Sequence, residues 1–181
     1  GFTQTIDDPA TLAPIIADRH TGVGGDGLIL ILPPEQGANA DARMRMFNND
    51  GSEGEMCGNG IRCVAKFVHD HGISTANPMH IQTGAGVLSL RYQTDGQKKV
   101  SEVTVDMGEP ILEPRLIPVE PTELAATDQL QTFEINLPNT GERFTATMVS
   151  MGNPHATIYV PNVAAIDLER IGPMLEKHAA F

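Results

Sequence analysis

The 181-residue sequence carries 12 Lys and Arg against 23 Asp and Glu, for a formal net charge of -11, with 40% hydrophobic and only 4% aromatic residues. A core of Ile, Leu, Val, Met and Ala can be built, but no basic block is long enough to track a phosphate backbone, which argues against a nucleic-acid partner. The longest apolar run, Leu28 to Leu32, is far short of the roughly 20 residues that span a membrane, and no charged-then-apolar leader is visible, so a cytoplasmic setting is expected.

In chain order, Thr11 to Arg19 reads as a short helix, in which Pro14 is tolerable only in the first turn, ended by Gly22. The strand Gly27 to Leu32 follows. Asp41 to Phe47 alternates Ala42, Met44 and Met46 against Arg43, Arg45 and Phe47, a strand pattern that runs into the turn-forming "NNDGSEG". A helix is expected from Asn59 or Gly60 to just before Gly72, a natural C′ residue. Its apolar stripe is Ile61, Val64, Ala65 and Val68, widened by Cys63 and Phe67, an arc that suits a helix embraced by a sheet and makes Cys63 a small core residue.

Three further strands are expected at Met79 to Thr83, Gly86 to Tyr92 and Val100 to Met107. "MGEPILEP", Met107 to Pro114, concentrates Gly and Pro and is the candidate boundary between a domain at 1–107 and a second at 108–181. Beyond it, Thr132 to Leu137 and Arg143 to Met151 read as strands, Gly152 to His155 as a loop, and Ala156 to Val160 as a strand. Asp167 to Ala179 has helical spacing, with Pro173 as a kink. Strands outnumber helices without regular alternation, which favours an α+β fold.

Several motifs invite chemistry. "GVGGDG" places Gly22, Gly24 and Gly27 at the spacing G-x-G-x-x-G, but a dinucleotide fingerprint follows a strand and opens a helix, and here the order is reversed. These glycines are expected to form a tight helix-to-strand turn with positive φ. Cys57, Cys63, His69 and His71 lie close in sequence, yet at about 100° per residue they scatter around a helix, and no pair has C-x₂₋₄-C spacing. No metal site is read there; His69 and His71 suit the last helical turn, and a Cys57–Cys63 disulfide is disfavoured by the same angles. As the only cysteines, the two are expected to remain thiols in a reducing compartment.

Cys57 stands apart because it immediately precedes the helix, flanked by Gly58 and Gly60. First-turn amides have no intrahelical acceptor and mark the positive end of the helix dipole, which favours an anion such as a thiolate. The loops "FNNDGSE" and "SMGNPH" each follow a strand and offer an Asn able to donate and accept without charge.

Taken together, "ADRHTGVGGDGLIL", "RMRMFNNDGSEGEMCGNGIRCVAKFV" and "SMGNPH" closely resemble the diaminopimelate epimerase family. The resemblance implies two similar α+β domains, each a sheet rolled around a central helix, with substrate in a cleft between them. It implies inversion of one α-carbon of LL-2,6-diaminopimelate to the meso form, on the route to lysine and peptidoglycan, with no cofactor. Two cysteines would face opposite sides of the α-carbon, one taking the proton and one returning it, with Cys57 as one of the pair. Gly58 and Asn59 would contact the substrate α-carboxylate, Asn48 and Asn153 would bind substrate, and His155 would tune the thiols. Family members often form homodimers.

This sequence departs from that pattern at three places. It begins after the strand that carries a further substrate-binding Asn, and it stops before the segment bearing the second cysteine, an acidic residue and an arginine. Gly27 stands where some members place a substrate-touching Gln, so any contact there would be through backbone. The expectation is a truncated second domain and a polypeptide that is inactive or nearly so by itself. The alternatives are a non-catalytic domain that keeps the fold, or a related proline racemase-like isomerase.

Overall fold

The computed structural model describes residues 6–117, 119–120, 125–126 and 132–181. The chain divides into two compact units, Gly1–Met107 and Gly108–Phe181.

The first unit is built on a mixed sheet of six strands: β1 (Gly27–Leu32), β2 (Ala42–Asn48), β3 (Glu53–Gly54), β4 (Met79–Thr83), β5 (Gly86–Thr94) and β6 (Val100–Val105). Five strands run in the order β1-β2-β4-β5-β6, and the short β3 pairs with β2. Neighbours are antiparallel except β2 and β4, which are parallel and therefore need a crossover. Helix α2 (Gly58–Asp70) lies on that crossover. The alternation of β2 fixes its faces: Ala42 and Met44 enter the core beneath α2, while Arg43 and Arg45 on the other face pair with Glu35 and Glu53.

One continuous core joins β2, α2, β4 and β5 through Met44, Ile61, Val64, Ala65, Val68, Met79, Ile81 and Leu90, with Ile29, Ile31, Val103 and Val105 packed around it. The sheet thus lends one face along its whole width to a single stripe of α2. Burying Ile61, Val64 and Val68 contributes about 1.5–3 kcal/mol each. The C-terminus of α2 is then tied to β6. The Asp70 carboxylate accepts from the Val100 amide at 3.0 Å and from Lys66 Nζ at 2.9 Å, and Lys66 Nζ also donates to the Val100 carbonyl.

Two expectations about α2 need correction. Cys63 is exposed, and Phe67 is 44% exposed and stacks on His71. The sheet covers only the Ile61, Val64, Ala65, Val68 stripe, so Cys63 is a surface thiol and not a core residue. The end of the helix is as expected: His71 caps it, and Gly72 follows with φ +68°.

Helix α1 (Pro9–Ala17) starts two residues earlier than its pattern suggests, with the Asp8 side chain accepting from the Thr11 amide and Pro9 at the favoured first position. Pro14 therefore falls inside the helix, where it removes the donor that would bond the Ala10 carbonyl. Buried Ala13 and Ala17 let α1 pack on β1 and β2. Of the three motif glycines only Gly24 has a positive φ, at +84°. Gly22 and Gly27 are required for another reason. A Cβ on Gly22 would stand 2.3 Å from the Ile15 carbonyl oxygen, and one on Gly27 would stand 2.2 Å from that of Phe47.

The second unit holds an antiparallel sheet in the order β10-β9-β8-β7, made of β7 (Ala125–Ala126), β8 (Thr132–Asn136), β9 (Arg143–Ser150) and β10 (Pro154–Ile158). β10 begins inside the expected loop, because Pro154 occupies the first position of an edge strand, where proline is tolerated. Helix α3 (Leu168–Glu176) is capped by Asp167, is clamped through Arg170 to both Glu142 oxygens at 2.7 and 2.9 Å, and carries Pro173 in its interior. Ile117, Ile135, Ala146, Met148 and Ala180 form its core.

Candidate active site

Helix α2 begins on a cysteine. Cys57 has extended backbone angles, φ -138° and ψ 109°, and acts as the N-cap: its Sγ accepts from the Gly60 amide at 3.3 Å, and its carbonyl accepts from the Ile61 amide at 2.9 Å. Ser, Thr, Asp and Asn usually fill this position because their oxygens accept well, and sulfur is a weaker acceptor. The choice of cysteine therefore weakens the cap while placing a thiol in the first-turn amide cluster. Gly60 makes this packing possible. A Cβ there would lie 2.5 Å from Ile29 Cδ1 and 3.3 Å from Cys57 Sγ, so its absence lets β1 close against the first turn and leaves room for the sulfur.

The amides of Gly58 and Asn59 have no carbonyl four residues earlier in the helix to bond. Together with the helix dipole they form a site suited to a carboxylate. Beside them, Arg62 reaches back along the helix: its Nη1 donates to the Gly58 carbonyl at 3.1 Å and its Nη2 to Asn59 Oδ1 at 2.8 Å.

Gly27 and Asn48 are direct partners across β1 and β2. Their pair lies two residues, about 7 Å, along the strands from the Ile29–Met46 pair. Since Ile29 touches the space above Gly60, the Gly27–Asn48 pair and the start of α2 share one end of the sheet. Asn48 is held in its own turn: its Nδ2 donates to Ser52 Oγ at 2.9 Å, which donates to Asp50 Oδ1 at 2.6 Å. The Ser52 hydroxyl and amide hold the Asp50 carboxyl below the usual carboxylate range, so the loop carries a fixed negative charge beside Asn48.

In the second unit, Asn153 and His155 flank Pro154 at the β9–β10 turn, and both are exposed. The Asn153 carbonyl accepts from the Met151 amide at 3.4 Å, and His155 pairs with Val149 across the hairpin. His155 also lines an apolar groove of about 280 Å³ with Ile117, Val119, Met148, Glu176 and Phe181. The first unit thus gathers Gly27, Asn48, Cys57, Gly58 and Asn59, and the second gathers Asn153 and His155.

Sequence reasoning missed three contacts around the first cluster. Arg62 lies off the apolar stripe of α2 and reads as an exposed polar residue, although side chains that lean toward the helix N-terminus bring it over Gly58 and Asn59. Gly60 and Ile29 form a contact that no local pattern encodes. Gly84, in the β4–β5 turn, lets that turn approach the loop leading to Cys57 closely, since a Cβ there would crowd the Glu55 backbone at 3.0 Å from its Cα. The chemistry within reach of this arrangement is proton transfer by a thiol beside a carboxylate-binding helix terminus.

The sequence model of the family described as "Diaminopimelate epimerase" matches residues 2–113. The diaminopimelate epimerase of Desulfovibrio desulfuricans is 50% identical over 186 residues, covering 100% of this chain and 62% of that protein. Those of Acetivibrio thermocellus and Agathobacter rectalis are 50% and 46% identical, over 99% of this chain and 61% and 62% of their own lengths. The chain therefore spans about three fifths of the length of the curated relatives it matches. Among solved structures, a probable proline racemase from Agrobacterium radiobacter aligns with a TM-score of 0.57 at 17% identity, over 95% of this chain and 48% of that one. A hydroxyproline epimerase from Agrobacterium vitis aligns with a TM-score of 0.58 at 17% identity, over 92% and 42% of the two chains. At these identities the likeness is one of fold, and it agrees with the α+β class.

Proposed function

Because this chain belongs to the diaminopimelate epimerase family, we propose that the protein inverts one α-carbon of LL-2,6-diaminopimelate to give the meso isomer, and that Cys57 is one of two thiols that move the α-proton. The observation that carries the reading is the position of Cys57 as the N-cap of α2, with its sulfur among first-turn amides.

In the proposed step a thiolate on one face of the substrate removes the α-proton, and the electron pair of the broken C–H bond stays on the α-carbon, delocalised into the carboxylate. A thiol on the opposite face then delivers a proton to that carbon and becomes the thiolate. Without an electron sink, the growing negative charge must be met by donors already in place. The Gly58 and Asn59 amides and the positive end of α2 are such donors for a carboxylate.

The reading assigns the opposite-face thiol to sequence outside these 181 residues, since Cys63, the second cysteine here, is an exposed residue one and two-thirds turns along α2. Gly27 and Asn48 on the first unit, and Asn153 on the second, would bind the remainder of the substrate. His155 would adjust proton balance, as an imidazole can near neutral pH. The domains at 1–107 and 108–181 would be the first epimerase domain and part of the second. A cytoplasmic location, a homodimeric state and the absence of a nucleic-acid partner belong to the same reading; among the described residues, no helix is long and apolar enough to cross a membrane.

The test is to incubate the protein at its full natural length with LL-diaminopimelate in deuterated water. Meso product carrying deuterium at the inverted carbon is expected. Absence of both inversion and exchange in a folded sample would remove the proposal.

A further inference from the structure

Arg62 occupies the fifth position of α2, close to the positive end of the helix dipole, where a cation runs against the macrodipole. Its guanidinium is exposed and bonds two neutral oxygens, the Gly58 carbonyl at 3.1 Å and Asn59 Oδ1 at 2.8 Å. Two other forked arginines, Arg45 and Arg170, grip carboxylates. Arg62 pairs with no carboxylate among the described residues, so its charge is left uncompensated beside the first turn.

Two consequences follow from the donor chemistry. Arginine only donates, so the oxygen of the Asn59 amide must face it, and both Nδ2 hydrogens are turned away from the clamp. The Gly58 carbonyl belongs to the same peptide plane as the Asn59 N–H, with the two groups pointing in opposite directions. Gripping that carbonyl from the C-terminal side holds the N–H aimed out of the helix start.

We propose that Arg62 is a positioning residue for the substrate carboxylate: its forked contact with Gly58 and Asn59 sets the first turn of α2 as a donor-only surface, and its unpaired charge adds to the attraction for an anion. This rests on the assignment of Gly58 and Asn59 to the substrate carboxylate.

The experiment is a double-mutant cycle in the protein at its full natural length, with diaminopimelate as the probe. Arg62→Ala is expected to lower kcat/KM about tenfold, with the loss mainly in KM. On an Asn59→Ala background the same change should cost less than about threefold, because one of the two groups that the fork holds is already gone. Arg62→Lys keeps the charge but not the fork, and should recover only a small part of the loss. The thermal midpoint should stay close to that of the parent, since Arg62 is exposed; should Arg62→Ala fail to fold, Arg62→Lys carries the same comparison.

Equal losses on both backgrounds, a loss confined to kcat, or full recovery by lysine would overturn the role of Arg62. If Asn59→Ala lowers activity while Arg62→Ala does not, only this inference falls. If Asn59→Ala has no effect, the Asn59 side chain takes no part in holding the carboxylate and this inference falls, while the assignment to the backbone amides, which alanine keeps, stands.

Discussion

Gly27→Ala should separate β1 from β2 at the end of the sheet that carries Asn48. The added Cβ would lie 2.2 Å from the Phe47 carbonyl oxygen and 3.2 Å from Asn48 Cα, and real Cβ contacts essentially never fall under 3.0 Å. Both obstacles are backbone, so no rotamer change relieves them, and the strands must part by roughly 0.8 Å, the difference between 3.0 and 2.2 Å. Overpacking of this kind costs about 1–3 kcal/mol, and weakening one strand-end hydrogen bond adds about 1 kcal/mol, for a total of roughly 2–4 kcal/mol. In a chain of this size that lowers Tm by roughly 4–16 °C. Gly25→Ala is the control. Its Cβ would meet nothing nearer than 3.7 Å and its φ is not positive, so it should be neutral or stabilise by about 0.4–1 kcal/mol. Calorimetry or thermal circular dichroism on the two variants checks the pair. A Gly27→Ala protein within about 0.5 kcal/mol of the parent, the usual range for a harmless surface change, would refute the close-approach argument.

Three other outcomes are expected. The Val100 amide, then Lys66 and His69, hold the Asp70 carboxyl below the usual carboxylate range against the opposing effect of desolvation. A carboxyl with a depressed folded pKa stabilises at and above its unfolded value and loses that contribution as pH falls, so Tm should drop below about pH 4; Asp70→Asn should make that acid slope shallower, and parallel slopes would contradict the network. Because Cys63 is exposed, the 181-residue chain carrying Cys57→Ala should still present its one thiol to a disulfide reagent without denaturant; a thiol that reacts only after unfolding would return Cys63 to the core. Val64→Ala, at a position 1% exposed beneath the sheet, should cost about 1–3 kcal/mol in urea denaturation, while Cys63→Ala should stay within about 0.5 kcal/mol.

Strands were the most legible part of the fold. GLILIL and the Ala42, Met44, Met46 alternation carry their period in a few residues, and the paired strands follow it. The start of α2 was legible too, because two glycines around a cysteine mark a bared helix terminus. The width of the buried stripe was not. Periodicity names the face that Cys63 and Phe67 border, but only the partner surface decides how far that face is covered, and the sheet stops short of them. In sequence Pro154 reads as a loop former, because nothing local says that its strand is an edge. Pro14 and Pro173 fall at the sixth position of their helices because capping by Asp8 and Asp167 fixes where those helices begin. At the site, Cys57 and Asn59 were visible as types at a place. The clamp by Arg62 needed the i,i+3 and i,i+4 reach of a side chain leaning toward the helix start, which a residue-by-residue reading does not apply.

The central claim is that the Cys57 thiol moves the substrate α-proton, and its most direct measurement is the rate at which Cys57→Ser and Cys57→Ala proteins of full natural length convert LL-diaminopimelate to the meso isomer. A hydroxyl keeps the size and the cap but does not ionise near neutral pH, and removal of a positioned proton-transfer group costs about 10²–10⁴-fold. Both variants should remain folded and lose inversion by at least about a hundredfold. Inversion at the parent rate in either variant would contradict the account.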